Sequence, residues 1–434
     1  MQVLLFSSLL CTLAPEGPAE EAVRFLTRCR QGQFQQATGA FDGTIASKLP
    51  AEKLKEAWEG IVKACGPLRP VAFGPPRVDE RKGVSVVKVR CEFALQALDA
   101  QIGVRDGKII GFTMQPPGPA GPLKPAPYVD AAKFSEREVT VGAEGWPLKG
   151  TLTLPKDMAA APLIVLVHGS GPHDRDESIG PNAPFRDIAQ GLATRGVAVL
   201  RYDKRTFAHG KKLAADKEHP VTIDSEVIDD ALAAVKAARN WPEVDARCVY
   251  VLGHSLGGAA APAIAIRDGH LAGIILMAAA ARPPDKMAID QFTYLRDHDP
   301  VQAEAAREYL RTLPPQFERI RNGEARDDEV VFHAPAAYWK SWFALEPAKM
   351  AAQLKGLPIL ILQGKRDYQV TEADLDLFKK ALAGRDEVTV HLYANFNHIF
   401  FPAGPRGTDL DYFDEGHVDA GVVEDIAAWV AKRK

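Results

Sequence analysis

Ser255 lies in the run Gly253-His254-Ser255-Leu256-Gly257. The apolar segment Cys248-Val249-Tyr250-Val251-Leu252 precedes the run, and Gly258, Ala259, Ala260 and Ala261 follow it. Five letters of this pattern arise by chance in any long chain that carries glycine and serine. The β-rich run before them and the small residues after them supply a mechanical reading, a buried strand turning sharply into a helix. At such a turn the residues two positions either side of the serine have no room for a Cβ, a demand that Gly253 and Gly257 meet. The turn would thrust the Ser255 hydroxyl past the sheet edge. It would also leave the next backbone N–H, that of Leu256, to donate to a developing oxyanion.

A serine attacks a carbonyl efficiently only when a base takes its proton and a carboxylate holds that base. In a sheet of this kind an acid and then a histidine should follow the serine, each in a loop just past a strand. Residues 358–364 read as a strand and Lys365-Arg366-Asp367 as the loop after it, so Asp367 is the candidate acid. The loop 278–281 after the preceding strand holds no acid, and Asp374 and Asp376 fall on the next helix. The purely structural alternative for Asp367 is a cap on the helix that starts near Thr371. Residues 388–393 read as the last strand, and His398 follows in Asn395-Phe396-Asn397-His398, which makes it the candidate base. His391 lies within that strand; His417, in a later loop rich in Gly and Asp, is the alternative base.

The second oxyanion donor is expected from His168-Gly169-Ser170-Gly171-Pro172, directly after the apolar run 163–167. Glycines there let backbone approach a substrate, and the Ser170 N–H would point towards the serine. His168 is read as a hydrogen-bond partner of loop backbone. Residues 173–178 carry mixed charge and read as a solvated loop rather than a metal site. The cysteines lack metal-ligand spacing, so no metal and no cofactor is expected.

The elements that must position these loops begin after residue 135. Strands are expected at 137–141, 148–154, 163–167, 197–202, 248–252, 273–277, 358–363 and 388–393, the first two as a hairpin. Helices are expected at 183–195, 223–240, 255–267, 371–383 and 422–432. The later strands are continuous Val/Ile/Leu runs, the mark of a parallel sheet covered on both faces. Strands alternating with helices predict an α/β, doubly wound, mostly parallel eight-stranded sheet with its site at the carboxyl ends of the strands. Residues 282–354 are too long for a simple crossover. They are rich in Phe292, Tyr294, Tyr338, Trp339, Trp342 and Phe343, which suggests a helical cap over the strand ends. The alternative is a helical surface insertion with no role in binding.

Before this unit, residues 115–127 read QPPGPAGPLKPAP, too rich in proline for helix or central strand. The expected division is a signal segment 1–18, a small α+β domain 19–115, a linker 116–134 and the α/β unit 135–434. Within 19–115, helical periodicity covers 20–30 and 51–65. Alternation covers 84–93, 100–104 and 108–114, with Arg105-Asp106-Gly107 as a turn.

At 434 residues, with 46% hydrophobic and 25% charged residues, the chain can bury a large core. A net charge of -3 gives no electrostatic footprint for nucleic acid, and no later apolar run reaches membrane-spanning length. Residues 3–13 are almost unbroken in apolarity and resemble a secretory leader, although no Lys or Arg precedes them. Export to the periplasm or medium is the expectation, a cytoplasmic start the alternative. Leu10 is too bulky before Cys11 for a lipid-attachment site. The sequence leaves open one disulfide among Cys29, Cys65 and Cys91, and reads Cys248 as a buried small hydrophobe.

With HGSGP, GHSLGG, the aspartate of GKRDYQV and the histidine of NFNHIF in that order, the chain resembles the α/β-hydrolases over about residues 135–434. The segment HGSGPHDRDESIGPNAPFRDIAQGLATRGVAVLRYDKR is similar to bacterial esterase-like hydrolases related to the serine aminopeptidase-like branch. Residues 20–115 resemble a small uncharacterised domain that several of that group carry, which implies a cone-like α+β fold. The resemblance implies a serine hydrolase acting on a small-molecule carboxylic ester. An aminopeptidase or amidase using the same groups is the alternative, and it would need an acidic pocket for the substrate amine. A vestigial, non-catalytic binding module is the remote third reading, which the complete set of Ser255, Asp367, His398, Ser170 and Leu256 opposes.

Overall fold

The computed structural model describes residues 17–65, 68–73, 76–81, 83–93, 97–115, 124–298, 303–332, 334–404, 407, 408, 411, 412 and 414–433. Nearly all of the expected leader and the proline-rich stretch 116–123 lie outside them. The chain divides into two compact units, Met1–Pro119 with Pro300–Ala305, and Ala120–Asp299 with Ala306–Lys434.

The first unit contains helices α1 (Pro18–Arg30), α2 (Phe34–Thr38), α3 (Gly43–Lys48) and α4 (Ala51–Cys65). Its strands are β1 (Leu68–Phe73), β2 (Arg77–Arg81), β3 (Val84–Phe93), β4 (Ala97–Arg105) and β5 (Lys108–Gln115). They form one antiparallel sheet in the order β1-β3-β4-β5, with β2 also paired to β3. Alternate residues of β3, Val87, Val89, Cys91 and Phe93, are buried, as a strand with one face on a core requires. Phe25 and Leu26 of α1 and Leu54 and Trp58 of α4 share that core. Cys29 is buried in it too, and burial pushes its thiol up to about 12. The sequence pattern missed β2, whose residues Arg77–Arg81 are all exposed, because a strand without a buried face has no period-two signal.

The second unit is built on eight strands: β6 (Phe134–Val141), β7 (Leu148–Pro155), β8 (Ala161–Val167), β9 (Ala198–Tyr202), β10 (Val244–His254), β11 (Gly273–Met277), β14 (Ile359–Gly364) and β15 (Val388–Tyr393). Their order is β15-β14-β11-β10-β8-β9-β7-β6. All pairings are parallel except the β6–β7 hairpin and the β7–β9 pair. Every residue of β8, β9, β11 and β14 is buried, the two-sided covering that their continuous apolar runs imply. Edge strand β6 reads Phe-Ser-Glu-Arg-Glu-Val-Thr-Val, and its exposed charged side chains protect an open edge from pairing with other chains.

Helices α5 (Pro184–Ala193), α6 (Arg205–Ala215), α7 (Asp229–Ala238), α8 (Leu256–Asp268), α13 (Glu372–Ala381) and α14 (Ala420–Ala431) complete the unit. Two of these differ from expectation. The helix expected at 223–240 opens as a π-helical turn, Asp224–Ile228, before α7. Helix α6 had no sequence signal: it is polar, carries Gly210 and is kinked at His209, whose φ of -127° leaves the helical region. Between β11 and β14 the chain forms α9 (Pro284–His298), α10 (Ala303–Arg321), a short ribbon of β12 (Val330–Val331) and β13 (Ala334–Pro335), α11 (Ala336–Phe343) and α12 (Pro347–Gln353). Among the described residues no helix is long and apolar enough to cross a membrane.

Candidate active site

Parallel strands β8, β10, β14 and β15 each end in a loop at the same edge of the sheet, and the residues singled out from the sequence sit there. Ser255 separates β10 from α8 with φ 54° and ψ -114°, a conformation that residues bearing a Cβ rarely adopt. The turn is as tight as the pattern demands. A Cβ on Gly253 would lie 2.1 Å from the Gly257 carbonyl oxygen, and one on Gly257 would lie 2.1 Å from that of Val167. The Ser255 N–H donates to the Met277 carbonyl at 2.9 Å, which ties the elbow to the end of β11. Leu256 begins α8, whose first amides have no intrahelical acceptors and whose dipole favours negative charge.

Asp367 and His398 meet. His398 Nδ1 lies 2.7 Å from Asp367 Oδ2, and both side chains are buried. The other carboxylate oxygen accepts from the backbone N–H groups of Gln369 at 2.8 Å and Val370 at 3.0 Å. These bonds fix the carboxylate plane, so the imidazole that Asp367 holds is oriented as well. Neither alternative histidine joins this pair. His417 Nδ1 lies 3.1 Å from Asp187 on α5, and His391 Nδ1 lies 2.9 Å from Asp425 on α14. Asp374 serves structure: it closes a capping box with Thr371 and accepts from the N–H groups of Ala281 and Arg282.

The loop after β8 is pinned by side chains from its own continuation and from the end of β9. Gly169 N–H donates to Glu177 Oε1 at 2.7 Å. Lys204 Nζ donates to the carbonyls of Gly169 at 2.8 Å and Gly171 at 3.0 Å, and His173 Nε2 lies 2.7 Å from the Ser170 carbonyl. In a trans peptide the N–H points opposite to the C=O, so anchoring the Gly169 carbonyl on Lys204 turns the Ser170 N–H away from Lys204. His168, as expected, bonds loop backbone, with Nε2 3.1 Å from the Asp174 carbonyl, and burial pushes its pKa down to about 3.

One expectation is corrected here. Residues 173–178 are solvated only in part: 173–176 are half-buried, Glu177 is buried and Ser178 is exposed. Arg175 pairs with Asp203 at 3.0 Å, Asp176 with Arg201 at 2.7 Å, and Glu177 is buried beside His254. Among the described residues no group of His, Cys, Asp and Glu could hold a metal ion.

A cavity of about 670 Å³ opens at Ser255 and Ser170. The cap contributes Phe332, Tyr338, Trp339 and Trp342 to its wall, and α6 contributes Thr206 and Leu213. The Trp339 and Trp342 rings stack with centroids 5.6 Å apart, and Trp339 Nε1 donates to the Val331 carbonyl at 2.8 Å, which fixes these rings in the wall. Phe292, Tyr294 and Phe343, also expected in the cap, pack among their neighbours instead. One buried carboxylate reaches the cavity and was missed from sequence: Glu226, in the π-helical turn. It lies 3.3 Å from Lys204 Nζ, accepts from the Thr206 hydroxyl, and with burial pushes the Tyr338 hydroxyl far above its usual pKa.

Residues 159–402 match the family described as serine aminopeptidase, S33, and residues 22–112 match a family described as a protein of unknown function, DUF3887. Esterase EstD of Thermotoga maritima is 34% identical over 436 residues, covering 100% of both chains. Dipeptidyl aminopeptidase BIII of Pseudoxanthomonas mexicana is 30% identical over 269 residues, 57% of this chain and 33% of that one. The solved structure of Est1E from Butyrivibrio proteoclasticus covers 68% of this chain and 98% of its own, at 17% identity and a TM-score of 0.45.

Proposed function

The chain belongs to the serine aminopeptidase S33 family of hydrolases, and from that premise we propose that it cleaves carboxylic esters through an acyl-enzyme on Ser255. The observation that carries the proposal is a strained serine at a strand–helix elbow, opening on a cap-roofed cavity, with a buried Asp367–His398 pair at the ends of neighbouring strands. Full-length similarity to an esterase favours the ester as substrate.

In the proposed reaction Ser255 Oγ attacks the ester carbonyl while His398 Nε2 takes its proton. Asp367 keeps the other ring proton on Nδ1 and balances the imidazolium that forms. The N–H groups of Ser170 and Leu256 receive the oxyanion, and the amino end of α8 adds its dipole. Collapse expels the alcohol, which takes its proton from His398. Water, activated by the same histidine, then releases the acid.

A peptidase reading has one specific feature behind it. Glu226 is an anion in the cavity wall, where a substrate ammonium could sit. Lys204 Nζ already lies 3.3 Å from it, however, and the Thr206 hydroxyl already donates to it, so a substrate ammonium would compete for a charge that is already paired. A hydrolysis screen separates the two. We expect short- and medium-chain p-nitrophenyl esters to be cleaved far faster than aminoacyl p-nitroanilides. The rate should fall for long acyl chains once they exceed a cavity of about 670 Å³. Cleavage of the anilides with no ester activity moves the enzyme to the peptidase reading.

All five proposed groups lie in the second unit, so residues 19–115 contribute none of the chemistry. A chain beginning at Ala120 should fold and keep kcat on a small activated ester within roughly an order of magnitude of the full chain. The start must precede Tyr128, which packs on Gly191 and donates to the Val418 carbonyl at 2.7 Å. A shortened chain that is folded by circular dichroism yet inactive would assign the first domain a part in the site.

A further inference from the structure

Behind the nucleophile, the residue that precedes it links the two halves of the site. His254 ends β10, and its side chain is buried. Its Nε2 lies 3.0 Å from the backbone carbonyl of His398, and the two rings sit with centroids 4.7 Å apart. On the other side its Nδ1 lies 2.9 Å from Glu177 Oε2, a charge contact set off the hydrogen-bond direction. The second oxygen of Glu177 takes the Gly169 N–H at 2.7 Å. Glu177 is held with φ at +50°, a left-handed conformation costly for a residue with a Cβ, and its side chain is buried.

We infer that Glu177 and His254 form a buried positioning pair that tethers the oxyanion loop to the loop of the general base, with His254 present as an imidazolium. The inference rests on the serine-esterase reading above. A carbonyl accepts only from an N–H, so His254 Nε2 carries a proton. Nδ1 lies 2.9 Å from the Glu177 carboxylate, whose charge favours a proton there, and with both nitrogens protonated the ring is a cation. Glu177 then holds Gly169 N–H through one oxygen and the cation through the other, and the cation holds the His398 carbonyl. Movement of either end changes the distance between the oxyanion donors and the base.

The charges facing this pair agree with that assignment. Burial pushes His254 down, but Glu177, the His398 carbonyl and Asp367 together outweigh it, and the net shift is upward. Burial likewise pushes Glu177 up, yet His254, with smaller parts from His173 and His168, holds it at about 2. The two loop histidines and Lys204 face the pair from the oxyanion side; for His168 and His173, burial dominates and favours the neutral form. Both shifts favour the charged pair. It is lost as pH rises through the raised value of His254, or as pH falls through about 2 at Glu177.

Three measurements on the full chain test this. In protein labelled with ¹⁵N-histidine, the His254 ring should show both nitrogens protonated at pH 7; a neutral ring there overturns the inference whether or not any variant folds. For Glu177→Gln and His254→Asn, kcat is normalised to sites titrated with a fluorophosphonate, which removes any loss due merely to unfolded protein. We expect each to lower kcat by roughly 10- to 100-fold with KM within about threefold, and the double variant to cost no more than the worse single one. The alkaline fall of kcat/KM in the wild type should shift or vanish in His254→Asn. Values of kcat per titrated site near wild type, additive costs, or an unchanged pH profile each overturn it. Fluorophosphonate labelling of wild-type Ser255 tests the nucleophile separately, so the two readings fail independently.

Discussion

Ser255→Ala is expected to lower kcat on a small activated ester by roughly 10⁵- to 10⁶-fold and to abolish fluorophosphonate labelling. The substitution deletes one atom, the oxygen that would form the ester bond, and leaves the framework around it in place. The Ser255 N–H still donates to Met277, Gly253 and Gly257 still permit the turn, and the Asp367–His398 bond does not involve the serine. The variant should therefore melt near the wild type, and KM should change far less than kcat. What remains is catalysis by binding and by the oxyanion donors alone. Alanine keeps the Cβ and with it the unfavourable φ of 54°. Ser255→Gly, equally inactive, should for that reason be at least as stable as the alanine variant. Labelling and peptide mass mapping decide the matter: a modified serine elsewhere in the chain, in wild type or variant, would refute the assignment of Ser255.

The serine could be found from sequence because its geometry is local. An elbow needs small residues at fixed offsets and a strand before it, and all of these fall within a dozen residues. The order of the proposed acid and base is also a chain property, since each follows a strand whose continuous apolar run announces itself: 358–363 for the strand before Asp367, 388–393 for the one before His398. The structure places those strands at Ile359–Gly364 and Val388–Tyr393. The sheet was legible for the same reason, because burial on both faces leaves no freedom for polar residues along β8 or β11.

What stayed hidden depends on partners far apart in the chain. Residues 173–178 read as a polar loop because local composition cannot reveal that Asp176 meets Arg201, Arg175 meets Asp203, or Glu177 meets His254. Each charge is compensated by a residue on another element, and only folding brings the two together. Lys204 follows an apolar strand and looks like the polar start of a loop. Its function as the clamp on Gly169 and Gly171 requires knowing that β9 lies beside β8. Glu226 sits within residues that read as an ordinary amphipathic helix. The π-helical turn there changes which side chains share a face, and so carries this carboxylate to the cavity.

His398→Ala should lower kcat by roughly 10⁴- to 10⁶-fold, whereas His417→Ala should stay within about threefold of wild type. Sequence alone left both histidines open as the base, since each follows the last strand and either could meet an acid. Both do meet one: His398 at 2.7 Å from Asp367 and His417 at 3.1 Å from Asp187. The carboxylates are what differ. Asp367 is fully buried, its second oxygen is held by two backbone N–H groups, and it sits at the end of the strand next but one to that of Ser255. Asp187 lies on α5, also takes the Val418 N–H at 3.1 Å, and is pushed up to about 6 by burial despite His417. A carboxylate so near protonation at working pH is poorly suited to steady an imidazolium. Its pair with His417 fits a role in fastening the 417–418 backbone to α5. His417→Ala should therefore show itself in thermal stability rather than in turnover. Asp367→Asn supplies the matching test of the acid: an amide retains the shape but not the charge that holds the Nδ1 proton, and kcat should fall by about 10⁴-fold with Ser255 still present. A crippled His417→Ala enzyme beside a nearly normal His398→Ala enzyme would overturn the triad and move the base to the other dyad.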